Sequence, residues 1–169
     1  MRRIIGIDPG PERSGIVSIL DNLTVIYSES QMSTEFLKGS VNVADIVVIE
    51  DLSPRQGGSP GQMFARWSRT IQTAKTIGAV RSMCRARGVQ YVELLPATWR
   101  AQLCGAANAS DAQIKACVRS VYEERGLAIG GGKQPAIGIK KQPGPLYTIR
   151  GHAWDALGVA LAWLQTEGA

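Results

Sequence analysis

The 169-residue sequence holds only three cysteines, one histidine and two phenylalanines. Cys84, Cys104 and Cys117 are odd in number and lack CxxC spacing, so neither a disulfide framework nor a zinc site is expected, and reduced core thiols are the better reading. No apolar run approaches 18 residues, and Met1-Arg2-Arg3 is followed by only a few apolar residues before Asp8 and Pro9. A membrane span and a signal peptide are therefore not expected, and the reading is cytoplasmic, with no membrane partner. The length is too short for two full lobes around a nucleotide, which excludes most two-lobed kinases and an actin-like ATPase. Charged residues make up 20% against 44% hydrophobic, too little charge for a disordered chain and enough apolar surface for a core. A single domain over 1–169 is the expectation. The net charge of +5 favours a polyanionic partner without requiring one.

Arg3 to Ile7 reads as a central strand stopped by Asp8-Pro9-Gly10, and Gly15 to Leu20 and Thr24 to Ser28 as two further strands, the first three being antiparallel. A short polar helix at Ser33 to Lys38 precedes Asp45 to Glu50, an apolar strand suited to burial on both faces. Ser53 to Gly61 reads as a mobile loop, 62–87 as a helix closed by Gly88, and Val89 to Leu95 as a fifth strand. A short helix follows from Pro96, a longer one capped by Ser110 runs to about Arg125, and an apolar helix runs from Ala153 to Gln165. Between the last two, residues 126–151 hold seven glycines, three prolines and four cations, which reads as a long structureless excursion. The fold class is α/β, a five-stranded mixed sheet flanked by helices.

Asp8 and Glu50 each end a strand, where side chains of neighbouring strands converge. Either alone is ordinarily a turn residue or a solvated strand end. In HAWDALGVALAWL apolar residues occupy nearly the whole helical circumference, so Asp155 needs a pairing charge or a metal, unless it is simply a first-turn residue favoured by the helix dipole. His152, three residues before it, projects from the same face or caps the helix. Three carboxylates with the chain's one histidine form an oxygen-rich set suited to Mg²⁺ or, as a substitute, Mn²⁺. Two such ions activate water and stabilise a pentacovalent phosphorus, and the basic surplus then offsets substrate phosphates.

The run IIGIDPGPERSG resembles the first-strand motif of RuvC-type Holliday junction resolvases, VVIED resembles the strand carrying their second carboxylate, and HAWDALGVALAWL resembles their last helix. The resemblance extends in order over nearly the whole chain. It implies a ribonuclease H-like fold, with Asp8, Glu50, His152 and Asp155 as metal-binding, catalytic positions; some family members carry Asp where His152 stands. It further implies Arg100, in TWR, as a catalytically helpful cation, whereas a second family lysine falls at Asp111, with Lys115 one turn on. The activity implied is hydrolysis of four-way DNA junctions to 5′-phosphate and 3′-hydroxyl ends. The longer, more basic excursion fits a divergent, phage-type member, acting in a bacterial or phage-infected host cytoplasm. Action on flap or other branched DNA or on RNA, or DNA binding without cleavage, are the alternatives.

Arg55, Arg66 and Arg69 crowd the segment after Glu50 with Phe64 and Trp67 among them, a mixture that neutralises phosphate and stacks on unpaired bases. Phe64 reads either as a wedge at the junction or as a core anchor, and Trp67 as core. Lys133, Lys140, Lys141 and Arg150 in the excursion read as DNA contacts that become ordered on binding, or as a passive insertion. Trp99 and Trp154 read as packing residues. Two symmetric cuts suit a homodimer, and the resemblance places its surface on the long helix, where Ile71, Ala74, Ile77 and Gly78 form a small apolar stripe that otherwise faces the chain's own sheet.

Overall fold

The computed structural model describes residues 1–52 and 60–167, with the side chains of Lys38 and 60–66 outside the description. Five strands form one sheet in the order β3-β2-β1-β4-β5, with β1 at Arg3–Asp8, β2 at Arg13–Leu20, β3 at Val25–Ser33, β4 at Ile46–Glu50 and β5 at Gln90–Leu94. β1, β2 and β3 pair antiparallel, while β4 lies parallel to both β1 and β5. The expected mixed sheet with a central first strand is therefore present.

Strand alternation divides the core between the two faces of the sheet. Ile5, Ile7, Val47 and Ile49 pack with Leu37 and Val41 of α1 (Thr34–Val41) and with Ile77, Val80 and Cys84 of α2 (Pro60–Arg87). Ile4, Ile46 and Val48 point the other way, toward α3 (Pro96–Cys104), α4 (Asp111–Glu124) and α5 (Ala153–Glu167). α3 begins on Pro96 and α4 on a Ser110–Gln113 capping box, both legible starts. α5 is buried from Ala156 to Trp163 without a break, as its all-round apolar sequence requires.

Several expectations are corrected. Helix α1 is less polar than its sequence suggests, since Leu37 and Val41 are fully buried. Pro60 and Gly61 belong to α2, whereas 53–59 lie outside the described residues. Trp67 is not core: it is 65% exposed. The sheet-facing residues of α2 are Thr73, Thr76, Ile77, Val80 and Cys84, and residues 67–72, nearer the helix start, are all exposed. A helical pattern cannot show where the sheet beneath it stops, and Trp67 lies beyond it.

The 126–151 excursion is not structureless. Gly138–Ile139 and Gln142–Pro143 form a two-stranded ladder, β6 and β7, and Ala136, Leu146 and Ile149 are fully buried in the main core. Its glycines serve close packing: a β carbon on Gly130 or Gly144 would run into the Pro135 carbonyl oxygen.

Candidate metal and active site

The sheet register places the two strand-end carboxylates together. β1 and β4 run parallel with Ile7 beside Ile49, so Asp8 and Glu50, one residue further along each strand, end neighbouring strands. Asp8 shares the parity of Ile4 and Gly6, and Glu50 that of Ile46 and Val48, so both emerge on the face covered by α5. Gly6 lets that helix approach: a β carbon there would collide with the Ala156 carbonyl oxygen. Gly15, paired with Asp8 across the β1–β2 ladder, likewise leaves room for the His152 backbone. Two glycines of the IIGIDPGPERSG run, Gly6 and Gly15, thus seat the start of α5 over the strand ends.

His152 Nδ1 lies 2.9 Å from Asp8 Oδ2, with the imidazole exposed and the carboxylate mostly covered. Asp8, His152 and Asp155 each offer a ligand atom, and these atoms lie within 4.8 Å of one another. Glu50 stands outside that trio, near enough for the Asp8 and Asp155 charges to act on it. Burial, followed by that repulsion, pushes the Glu50 carboxyl up to about 7. Asp155 is pushed up to about 6 by burial and then by Asp8 and Asp111. Asp8 is raised by burial, although His152 and Arg100 pull it back. The Arg100 guanidinium favours the charged form of all three carboxyls.

This donor set fits a hard divalent cation. Carboxylate oxygens and one imidazole nitrogen converge, and burial followed by mutual repulsion holds the carboxyls above their ordinary range, a strain that a bound cation would relieve. The arrangement can hold a metal ion.

Behind the carboxylates, the fully buried Trp99 packs its ring against α5, where Gly158 leaves it space. The Arg100 guanidinium lies 5.3 Å from the centre of that ring. The Trp99 indole N–H approaches Glu50 and helps hold it charged, without completing a hydrogen bond. The packing role read for Trp99 and Trp154 is present, since both are buried, and the indole's relation to Glu50 was not legible in the sequence.

Asp111 is a further residue that sequence reasoning did not place at the site. With Lys115, Gly151, His152, Trp154 and Asp155 it lines a cleft of about 240 Å³. Its position, where the resemblance led to a lysine, was the available signal. Lys115 is exposed along the same cleft.

The other sequence candidates are scattered. Arg69, Lys133, Lys140, Lys141 and Arg150 are exposed. Arg150 folds back, donating to the Ile149 carbonyl at 2.7 Å and lying 5.7 Å from the Tyr147 ring centre. Arg55 lies outside the described residues, as do the side chains of Phe64 and Arg66. Of the apolar stripe, Ile77 faces the chain's own sheet, whereas Ile71 and Ala74 are exposed and Gly78 has open space around it.

Among the described residues no helix is long and apolar enough to cross a membrane. No family model and no curated protein matches the sequence. Solved structures do match. T. thermophilus RuvC in complex with Holliday junction substrate is 18% identical, with 99% of this chain and 97% of that one covered at a TM-score of 0.64. A second structure, described as the Thermus thermophilus RuvC structure, is 18% identical, with 98% and 95% covered at a TM-score of 0.61. At this identity the likeness is one of fold, and the chain has a RuvC-type, ribonuclease H-like fold.

Proposed function

We propose that the protein is a metal-dependent endonuclease that resolves four-way DNA junctions by paired, symmetric phosphodiester hydrolysis. The observation that carries this reading is the convergence of Asp8, His152 and Asp155, with Glu50 beside them, on the end of a RuvC-type sheet. The likeness to RuvC solved with a Holliday junction substrate supports the choice of DNA substrate.

Asp8, Glu50, His152 and Asp155 would hold Mg²⁺, or Mn²⁺ in its place, as two ions. Bound there, the ions supply activation of water and charge stabilisation at the phosphorus. Asp8 would orient the His152 ring through Nδ1, which leaves Nε2 as the ring nitrogen without that partner. The Arg100 guanidinium offsets the carboxylates and would attract the scissile phosphate. Lys115 adds a cation to the lining of the cleft.

Arg55, Phe64, Arg66 and Arg69, on and before the outlying part of α2, would meet the junction. A homodimer brings two such sites to strands related by symmetry. Its surface would include Trp67, Ile71, Ala74 and Gly78, which recur at i, i+4, i+7 and i+11 on a face of α2 turned away from the chain's own sheet. The chain would work as one domain in a bacterial or phage-infected cytoplasm.

Labelled four-way junction, flap, duplex and RNA–DNA hybrid, each incubated with the protein and Mg²⁺, test this reading. Paired nicks at symmetric positions of the junction are the expected result. Preferential cutting of the flap or hybrid would replace junction resolution with those activities, and cleavage of none would make the chain a binding protein.

A further inference from the structure

Residues 126–151 carry four cations and no carboxylate, in a chain that elsewhere mixes both signs. Three of the cations, Lys133, Lys140 and Lys141, are exposed, and none forms an ion pair among the described residues. A charged run is ordinarily a solvated surface, and one on a loose loop would have to lose chain entropy before holding a ligand. Here the backbone is already fixed. Gly130 donates to the Pro135 carbonyl, Gly131 to that of Gln142 and Gly144 to that of Ile137, each at 2.9 Å.

The segment is also tied to the body of the protein. Ala136, Leu146 and Ile149 are sunk in the main core, and the Ser28 hydroxyl of β3 donates to Thr148 Oγ1 at 3.1 Å. At the far end, the Ile139 side chain lies over Gly131 and Gly132, where added β carbons would stand 3.2 and 2.9 Å from it. Lys133 follows Gly132 and Lys140 follows Ile139, so that contact gathers Lys133, Lys140 and Lys141 at one end of the lobe. The other end runs directly into Gly151 and His152, which line the cleft of the metal-ligand cluster. Three unpaired cations and the cleavage centre thus sit on one continuous, internally bonded piece of chain.

We propose that the 126–151 lobe is a preformed phosphate-backbone contact for a DNA arm flanking the scissile position, with Lys133, Lys140 and Lys141 as the contacting side chains. The proposal rests on the nuclease reading for the identity of the polyanion as DNA. Lysine ammoniums suit it because they contact phosphate as point charges, independent of base sequence. Rigidity suits it because affinity then carries no backbone ordering cost.

The test compares the wild type with a Lys133→Ala/Lys140→Ala/Lys141→Ala variant and with the matching Lys→Arg variant. Junction binding is followed by fluorescence anisotropy in EDTA between 50 and 200 mM salt. The alanine variant is expected to bind about tenfold more weakly at intermediate salt, with the logarithmic salt slope reduced by roughly two to three, about 0.9 per lost contact. The arginine variant should bind as the wild type does, and all three should melt alike because the lysines are exposed. Unchanged affinity and slope in the alanine variant would overturn the proposal, as would loss of binding to anionic phospholipid vesicles with DNA binding intact. Wild-type protein that binds through the lobe yet cuts nothing with Mg²⁺ would overturn the nuclease reading while the lobe contact stands.

Discussion

Gly6 of β1 and Ala156 of α5 approach so closely that a β carbon on the glycine would overlap the alanine's carbonyl oxygen. That approach sets how far the helix carrying Asp155 stands from the strand carrying Asp8. A Gly6→Ala substitution must therefore push α5 off the sheet, at an overpacking cost of roughly 1–3 kcal/mol. Thermal melting should register that loss, and the stabilisation gained on adding Mg²⁺ should shrink with it as Asp8 and Asp155 separate. A variant that melts and binds metal like the wild type would show that the contact does not set the site.

The buried carboxyls make stability without metal depend on pH in a definite direction. Glu50 ionises near 4.5 when unfolded and is pushed up to about 7 in the fold, so the folded state opposes its ionisation. The penalty is absent below the unfolded value, grows as pH rises toward 7, and is fully present above it. That shift corresponds to about 3 kcal/mol. In EDTA, Glu50→Gln should accordingly be more stable than the wild type at pH 8 and similar at pH 4.5. Parallel pH profiles of the two proteins would contradict the burial and repulsion described at Glu50.

The legible parts of the site were those fixed by local pattern. Asp8 and Glu50 follow from strand alternation and strand ends, and Asp155 from an apolar helix that leaves its charge without solvent. The pairing of His152 with Asp8 depends on how α5 is placed over the sheet, which no periodicity reports. Glycine misled in the 126–151 segment because the absence of a side chain serves flexible linkers and tightly layered backbone equally. Trp67 misled because its helix outruns the sheet, and Asp111 was overlooked because its approach to Asp8 and Asp155 is tertiary.

Replacing His152 by different groups separates ligand from proton-transfer roles. Asp8→Asn and Asp155→Asn should abolish cleavage while junction binding survives, since each removes a ligand charge and leaves the basic surface intact. His152→Asp should keep measurable activity because a carboxylate can replace imidazole on a hard cation, whereas His152→Ala should lose at least tenfold in metal affinity. Complete inactivity of His152→Asp with normal metal binding would assign the ring an acid or base role instead.

Trp99→Phe removes the indole N–H near Glu50 while keeping an aromatic ring against Gly158 and beneath Arg100. A packing role alone would lower the melting temperature and leave the metal requirement unchanged. With Glu50 less favoured in its charged form, the Mg²⁺ concentration for half-maximal cleavage should rise several-fold and the dependence of cleavage on pH should move to higher pH. An unchanged metal requirement and pH profile would leave Trp99 with packing only.

The outlying turns of α2 bear on assembly. Residues 67–72 are exposed, with Trp67 at 65% and Ile71 at 49%, and the face they begin continues through Ala74 to Gly78. Large apolar side chains standing in water at helical spacing favour association, and a small residue such as Gly78 lets a second helix come close. An isologous pairing would bury the same stripe from both copies and relate their metal-ligand clusters by a two-fold axis. Ile71→Asp would then place two like charges near that axis at little cost to the monomer, because Ile71 is not part of its core. Sedimentation of the wild type at micromolar concentration should give about twice the chain mass, and Ile71→Asp should give one, with an unchanged melting profile at low concentration. The variant should also make single nicks in a junction in place of paired cuts, because the second site must then arrive by separate binding. A wild type of single-chain mass, with and without junction DNA, would remove the dimer and leave a single-nick or flap nuclease as the better reading.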